Sequence, residues 1–244
     1  GAVAFAEAGK AIAVPAFDID YKLTWCAVND VPSHVVGASD IIDVKLASGR
    51  NVRLTLGHNL FKLLDGQIIS TETSKLRVGD YVCAPRLLPE PLRYLKSVNL
   101  RTLINCSLKF STDKFSLRCR GRTTWLPQNI PITTELSRFL GFYCAEGYCH
   151  LDETQRGCEV GFSFGPHEMQ YALEIQRFIK HTFGLKASVK PVYAGIRVRC
   201  FSKLFAIIMK TLCGRGAKNK KIPKLIFNSS PNIRRQFLDA LFLG

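Results

Sequence analysis

Residues 1–88 contain short apolar runs in which hydrophobic and polar positions alternate, with turn-forming residues between the runs. Alternation with a period of two is typical of strands that bury one face. Ser48-Gly49 and Asp65-Gly66 each stand between two such runs, and pairs of this kind favour tight hairpin turns. The pattern therefore predicts a compact all-β domain at 1–88.

From Ile132 onward the apolar residues follow the helical period instead. Thr133 is placed to cap the first of these helices. The apolar face of that helix comprises Leu136, Phe139, Leu140 and Tyr143. The later runs predict the order helix, hairpin, helix, hairpin, helix (αββαββα), with a further helix that starts at Ser230-Pro231. We therefore expect an α+β domain at 132–244.

The segment 89–131 separates these two regions and combines basic with aromatic residues between prolines at both ends. Prolines in such positions favour a break between domains. We expect a basic connector or an accessory DNA-contact segment here. A solvated basic surface is an equally weighted alternative.

The chain has 34 Lys and Arg against 19 Asp and Glu, which gives a formal charge of +15. Fifteen of the basic residues lie between Glu174 and Asp239, in a stretch without any acidic residue. This excess favours a polyanionic partner, double-stranded DNA first, with a solvated basic surface as the alternative. No run reaches the roughly 18 apolar residues of a membrane-spanning helix, so no membrane partner is expected.

Nine cysteines occur without a C-x-x-C pair, which argues against both a zinc site and a disulfide framework. Cys144, Cys149, His150 and Cys158 are close in sequence, but their spacing is not that of zinc ligands. Free thiols favour an intracellular location, cytoplasmic or nucleoid-associated, and the interrupted apolar start does not resemble a signal peptide. No small-molecule substrate is indicated.

Thr55 and His58 lie at the end of the strand that follows the Ser48-Gly49 turn. A hydroxyl and an imidazole at this spacing can face one peptide bond. The imidazole would donate a proton to the leaving amide, and the hydroxyl would orient the carbonyl. A surface histidine without a catalytic role produces the same T-x-x-H pattern. The pair therefore indicates a function only together with the motifs around it.

Those motifs are residues 16–18 (Ala-Phe-Asp), 48–50 (Ser-Gly-Arg) and 76–82 (Leu-Arg-Val-Gly-Asp-Tyr-Val). With Thr55 and His58 they resemble the N-terminal splicing region of inteins, which shares its fold with hedgehog autoprocessing domains. The resemblance implies that these two residues activate the N-terminal splice junction, and that the flanking host-protein segments (exteins) are partners. It also implies that the nucleophile precedes Gly1 and that a His-Asn pair follows Gly244, so the chain looks truncated at both ends.

A second motif occupies residues 139–148 (Phe-Leu-Gly-Phe-Tyr-Cys-Ala-Glu-Gly-Tyr). Gly141 in mid-helix allows close approach of a partner helix, and Glu146 at the helix C-terminus is unfavourably placed for the helix dipole. A divalent metal ion bound by Glu146 and a second acidic residue would offset this unfavourable charge. The same ion would assist phosphodiester hydrolysis. Residues 238–244 repeat the motif at an offset of 99, which places Ala240 opposite Gly141 and the partner of Glu146 at position 245.

These motifs resemble those of LAGLIDADG (DOD-type) homing endonucleases, which occur inside inteins, and the resemblance covers 132–244. Residues 218–227 resemble the lysine-bearing block of that family, with Lys220 as the better positional match and Lys221 as the second. The resemblance implies Mg²⁺-dependent cleavage of both DNA strands, with Glu146 as a metal ligand and a lysine assisting. The alternatives are a non-catalytic DNA-binding LAGLIDADG protein, a decayed intein endonuclease and, for the lysines, a plain basic loop.

Two predicted strands of this region carry polar or basic residues at every second position. A period of two places such residues on one face of a hairpin, and a basic sheet face suits the major groove and its phosphates. The predicted DNA-contact residues are Lys186, Ser188, Lys190, Arg197 and Arg199. A sheet face that carries only solubilising charge is the alternative.

Overall fold

The computed structural model describes residues 12–33, 35–87, 90–91, 93–119, 122–151 and 157–244. The chain divides into an N-terminal unit, Gly1–Glu90, and a C-terminal unit, Pro91–Gly244. The opening residues from Gly1, considered above for a signal peptide, lie outside the described residues.

The described strands of the N-terminal unit are β1 (Ala13–Phe17), β2 (Leu23–Ala27), β3 (Ile41–Lys45), β4 (Asn51–Thr55), β5 (Asn59–Leu64), β6 (Gln67–Glu72) and β7 (Tyr81–Val82). β1 pairs with β2 and β3 with β4, while β5 lies between β6 and β7 in a three-stranded sheet. All of these pairs are antiparallel. Two 3₁₀ segments, Ala38–Asp40 and Thr73–Lys75, stand between strands.

Both hairpin turns predicted in this unit are present. Gly49 has a φ of 80°, and Asp65 and Gly66 have φ values of 48° and 77°. Positive φ at two successive residues is the turn geometry that matches the right-handed twist of paired strands. Leu64 accordingly pairs with Gln67 across the second turn.

The N-terminal unit buries few side chains among its described residues. Thr73 is the one residue of this set that is fully buried. Phe17 and Phe61 contact each other edge to face, with ring centroids 6.2 Å apart, yet they are 38% and 41% exposed. The described strands of this unit therefore leave much of their apolar surface accessible.

The strands of the C-terminal unit are β8 (Ser97–Asn99), β9 (Lys109–Phe110), β10 (Lys114–Cys119), β11 (Arg122–Pro127), β12 (Asn129–Pro131), β13 (Gly147–His150), β14 (Glu159–Phe164), β15 (Ala187–Val192) and β16 (Gly195–Cys200). The helices are α1 (Thr134–Glu146), α2 (Met169–Phe183), α3 (Lys203–Cys213), α4 (Lys224–Phe227) and α5 (Pro231–Leu243). From α1 to α3 the order is the predicted one. Within the described ranges, no helix has both the length and the apolar character needed to cross a membrane.

One four-stranded antiparallel sheet, in the order β13-β14-β16-β15, organises this unit. Phe162 of β14 pairs with Val198 of β16, and both are fully buried. Phe139 of α1 packs on this buried face, with its ring centroid 5.5 Å from that of Phe162 and 6.2 Å from that of Phe205 on α3. Helices thus cover one face of the sheet, and the other face carries polar and charged side chains such as Lys190 and Arg197.

The helix ends follow local capping rules. Thr133 Oγ1 accepts a hydrogen bond from the backbone N–H of Leu136 at 3.2 Å, as its position predicted. Gly184, with a φ of 66°, ends α2 in the left-handed conformation. Pro231 occupies the start of α5, but the Ser230 side chain makes no capping hydrogen bond, which differs from the prediction.

The segment 89–131, expected to be a basic connector or an accessory DNA-contact segment, belongs from Pro91 onward to the C-terminal unit. Its core residues, shared with the helices, are Leu100, Phe115, Leu126 and Ile130. Pro127 and Pro131 end β11 and β12, and Pro131 pairs with Ser97 of β8. Proline is tolerated at strand ends because it has no ladder hydrogen bond to lose there, so these prolines do not mark a domain boundary.

Candidate functional site

α1 and α5 approach each other where neither helix carries a large side chain. A Cβ built on Gly141 would collide with the carbonyl oxygen of Phe237 and lie 2.9 Å from the Cβ of Ala240. The Ser137 hydroxyl adds a hydrogen bond of 2.5 Å to the carbonyl of Ile233 across the same interface. The prediction that Ala240 lies opposite Gly141 is confirmed, and the backbones are close because one of the two residues is glycine.

Glu146 is the last residue of α1 and is half-buried. A Cβ built on Gly244 would lie 2.7 Å from the Cβ of Ala145 and 2.9 Å from the Cγ of Glu146. The C-terminal ends of α1 and α5 therefore meet beside this carboxylate. A negative charge at a helix C-terminus is unfavourable, so a nearby cation would stabilise Glu146.

Lys220 supplies a cation at this point. Its ammonium donates hydrogen bonds to the carbonyl oxygens of Cys144 and Ala145, at 3.0 and 2.9 Å, in the last turn of α1. Burial lowers the pKa of Lys220, and attraction to Cys144 and then to Glu146 opposes that shift. The structure thus brings the predicted Lys220 to the end of α1 that carries Glu146, where it caps the helix.

Lys221, the second predicted lysine, contributes its backbone. Its N–H donates to the carbonyl of Cys213 at 2.9 Å, and its own carbonyl accepts from Cys144 Sγ at 3.6 Å, while its side chain is exposed. A hydrogen bond from Cys213 lowers the pKa of the Cys144 thiol, whereas burial raises that of Cys213. Lys221 therefore belongs to the structural support of the site.

Glu146 fits the role of one oxygen ligand of Mg²⁺, because it is a half-buried carboxylate at a junction of two helices. In the part of the chain that the structure describes, no three His, Cys, Asp or Glu side chains are grouped to hold a metal ion. Glu146 would therefore contribute one ligand to such a site, and the described residues group no further acidic, His or Cys side chains around it as a set of three.

The predicted DNA-contact residues share the open face of the four-stranded sheet. Ser188 pairs with Arg199 and Lys190 pairs with Arg197 across β15 and β16. Lys186 stands just before β15 and continues the same alternation. The opposite face supplies core residues, among them Val160, Phe162 and Val198. This open face is called the basic face below.

The basic face carries three exposed cations. Lys186, Lys190 and Arg197 are exposed, and none of them forms an ion pair within the described ranges. Ser188 is half-buried, and its hydroxyl donates to the carbonyl of Arg199 at 3.4 Å. These exposed cations give the basic face a positive charge.

Sequence reasoning missed Glu159, which lies on the basic face and is 8% exposed. Arg199 Nε and Nη2 both donate to Glu159 Oε2, at 2.8 and 2.6 Å, and this hydrogen bond raises the pKa of Arg199. The Arg199 guanidinium carbon also lies 4.7 Å from the ring centroid of Phe201. The alternation of β14 was visible in the sequence, but its register against β16, which brings Glu159 to Arg199, was not.

Tyr148 connects Glu146 to the basic face. β13 begins directly after Glu146, and Tyr148 of β13 pairs with Gly161, which in turn pairs with Arg199. The Tyr148 ring lies over Gly161, where a Cβ would collide with it. Burial, and secondly the Glu159 carboxylate, raise the pKa of Tyr148. Glu146 therefore stands at the rim of the basic face.

Thr55 and His58 lie in the N-terminal unit at the turn between β4 and β5. The N–H of His58 donates to the carbonyl of Thr55 at 3.0 Å. Thr73 donates its N–H and its hydroxyl to the carbonyl of His58, at 2.8 and 2.6 Å. The backbone of His58 is thus held firmly while its imidazole is exposed, and Thr55 is half-buried. The backbones of Thr55 and His58 are joined by this hydrogen bond, and the joint role of their side chains stays a prediction.

Comparison with known proteins gives distant and partial similarities, and no known protein-family model matches the chain. It is 23% identical over 235 residues to transcription initiation factor IIB of Methanocaldococcus jannaschii, covering 96% of this chain and 28% of that protein. It is 31% identical over 118 residues to a DNA polymerase of Thermococcus aggregans, covering 47% of this chain and 6% of the polymerase. It is 28% identical over 122 residues to an iron-sulfur cluster assembly SufBD family protein of Mycobacterium bovis, covering 49% of this chain and 14% of that protein.

Proposed function

We propose that this chain is part of an intein. In this proposal the N-terminal unit is the first part of an all-β hedgehog/intein-type splicing module. The C-terminal unit is one half of an α+β LAGLIDADG endonuclease that cuts both strands of DNA. The whole protein would combine protein splicing with homing cleavage.

The comparisons support an insertion of this kind. The three relatives have names that describe unrelated tasks, in transcription initiation, DNA synthesis and iron-sulfur cluster assembly. The part that matches this chain is 28%, 6% and 14% of their respective lengths. Matches that form a minor part of proteins with such different names are what an intein, as a mobile insertion, would produce.

The observation that carries the endonuclease proposal is the helix pair that ends at Glu146. Gly141 and Ala240 let α1 and α5 approach closely, and the carboxylate at the end of α1 stands at the rim of the basic face. DNA held by Lys186, Lys190 and Arg197 would then pass close to Glu146. A carboxylate next to a bound phosphodiester has a clear use in hydrolysis, because it can hold a metal or orient water.

Glu146 and Lys220 would have different roles in the reaction. Glu146 would bind Mg²⁺ together with ligands from elsewhere in the protein, and the ion would activate water and neutralise developing charge on the phosphate. Lys220 would act as a positioning residue, because its ammonium is already bound to two carbonyls of α1. It would keep the end of the helix, and with it Glu146, in a fixed orientation.

The test uses the intein that contains this chain and a plasmid library of candidate sites. Glu146→Gln keeps the volume of the side chain and removes its charge, so we expect cleavage to fall by orders of magnitude and DNA binding to persist. Glu135→Gln, the same substitution at an exposed residue in the first turn of α1, is the matched control and should cut normally. Cleavage by Glu146→Gln at the wild-type rate would place the active site elsewhere.

DNA binding without cleavage is the second candidate function. The observation that favours it is the incomplete set of metal ligands in the described residues. It predicts that the wild-type protein binds DNA with and without Mg²⁺ and leaves it intact in both cases. A linear product that appears only with Mg²⁺ would exclude this candidate.

The splicing proposal assigns Thr55 and His58 to the N-terminal junction. His58→Ala should strongly slow N-terminal cleavage in a precursor that carries both exteins, followed by gel electrophoresis and mass spectrometry. The fold should survive, because Thr73 binds the backbone of His58 and not its ring. Unchanged cleavage would refute the role of His58.

A further inference from the structure

Arg199 differs from the other cations of the basic face. Its Nε and Nη2 share one carboxylate oxygen of Glu159, and its guanidinium lies against the Phe201 ring. Lys190 and Arg197 are exposed and have no ion-pair partner within the described ranges. The basic face therefore contains one cation that is held rigidly and others that are free to adapt.

The ion pair changes what Arg199 can recognise. The charge of Glu159 offsets that of Arg199, and a carboxylate this close would also repel a phosphate that approached the guanidinium. Arg199 is thus a poor phosphate ligand, although it lies on a face that suits DNA. Phosphate contacts are left to the unpaired cations.

Donors nevertheless remain on Arg199. A guanidinium has five N–H groups in a fixed fork, and the bonds to Glu159 use Nε and one hydrogen of Nη2. The Nη1 group and the second Nη2 hydrogen form no hydrogen bond within the described part of the chain, and the side chain is 41% exposed. Two parallel donors at the end of a fixed side chain match the O6 and N7 acceptors of guanine in the major groove.

We propose that Arg199 reads a guanine base, that Glu159 is the positioning residue that fixes its guanidinium, and that Lys190 and Arg197 contact phosphates. The inference rests on the DNA-binding function proposed above, and it assigns part of the sequence specificity of DNA binding to Arg199. The rigid pair limits the loss of side-chain freedom on binding, which favours discrimination between bases.

The experiment is selection of bound duplexes from a DNA library with a randomised central region, followed by sequencing. Wild-type protein should enrich a motif that contains guanine at one position. Arg199→Lys keeps the charge but loses the fork, so the preference for that guanine should fall by about 5- to 150-fold. Glu159→Gln should weaken the same preference, because the guanidinium is less firmly oriented.

Arg197→Ala is the matched control, two residues away on the same strand and face. It should keep the selected motif and reduce the slope of log affinity against log salt by about 0.9, as expected for one lost phosphate contact. Arg199→Ala should change that slope much less and lose the guanine preference.

The outcomes separate the inference from the function on which it rests. If Arg199→Ala lowers the salt slope as much as Arg197→Ala and keeps the motif, Arg199 is a phosphate ligand and the inference is wrong. If wild-type protein binds duplexes but enriches no motif, base reading is refuted while DNA binding stands. If wild-type protein binds no duplex at low salt, the proposed function fails first. Circular dichroism of each variant checks that it is folded.

Discussion

Replacing Gly141 with alanine tests the close approach of α1 and α5, on which the position of Glu146 depends. The added Cβ would collide with the carbonyl oxygen of Phe237 and lie 2.9 Å from Ala240 Cβ and 3.2 Å from the backbone nitrogen of Leu241. Two of these three atoms belong to the backbone of α5. The helix must therefore move as a body, because no single side chain can rotate away.

The expected cost follows from two opposing effects. Overpacking a core lowers the free energy of unfolding by about 1–3 kcal/mol. The higher helix propensity of alanine raises it by about 1 kcal/mol relative to glycine. Because the collision is with backbone, the upper part of the cost range applies, and we expect a net loss of about 1–2 kcal/mol. For a unit of this size that corresponds to a fall in Tm of about 2–8 °C.

Differential scanning calorimetry of the two proteins measures this difference. Gly57→Ala is the control, because a Cβ built on Gly57 would meet no described atom within 4 Å and the backbone there is not in the left-handed region. Its Tm should change little. A Gly141→Ala protein that melts at or above the wild-type temperature would show that the helices are further apart, and the position inferred for Glu146 would lose its basis.

Three further predictions concern stability. Lys220→Met removes the donor to two carbonyls of α1 and should lower the free energy of unfolding by about 2 kcal/mol. Lys221→Met, at an exposed side chain, should lower it by less than about 0.5 kcal/mol, and thermal melts of the two variants measure the difference. Phe139→Ala, at a residue 1% exposed, should cost about 3–5 kcal/mol in urea unfolding, and a loss below about 1 kcal/mol would contradict the core described here. The backbone N–H of Arg77, and then Lys62, lower the pKa of Asp80 below 3.8 in the folded protein. The Asp80 carboxylate therefore stabilises the folded state above about pH 3.8, and this contribution is lost as the pH falls through the lowered pKa. Asp80→Asn should therefore destabilise the N-terminal unit at neutral pH and make the stability of this unit less sensitive to acid. An acid transition that is unchanged in tryptophan fluorescence would refute this prediction.

The sequence by itself determined the local elements and one tertiary contact. Hairpin turns such as Asp65-Gly66 and the cap at Thr133 could be predicted because backbone conformation and capping depend on neighbouring residues. The order of helices and strands from α1 to α3 follows from the spacing of apolar residues, which is also a local property. The approach of Gly141 to Ala240 was predictable because the motif occurs twice in the chain.

Tertiary structure decided the remaining features, because each of them joins residues far apart in the sequence. Pro131 pairs with Ser97, and this pairing places part of the expected connector in the core. Lys220 reaches a carbonyl 75 residues away, and Arg199 binds a carboxylate 40 residues away. Periodicity shows which face of a strand or helix is buried, but the register and partner of that face are set by packing over the whole unit.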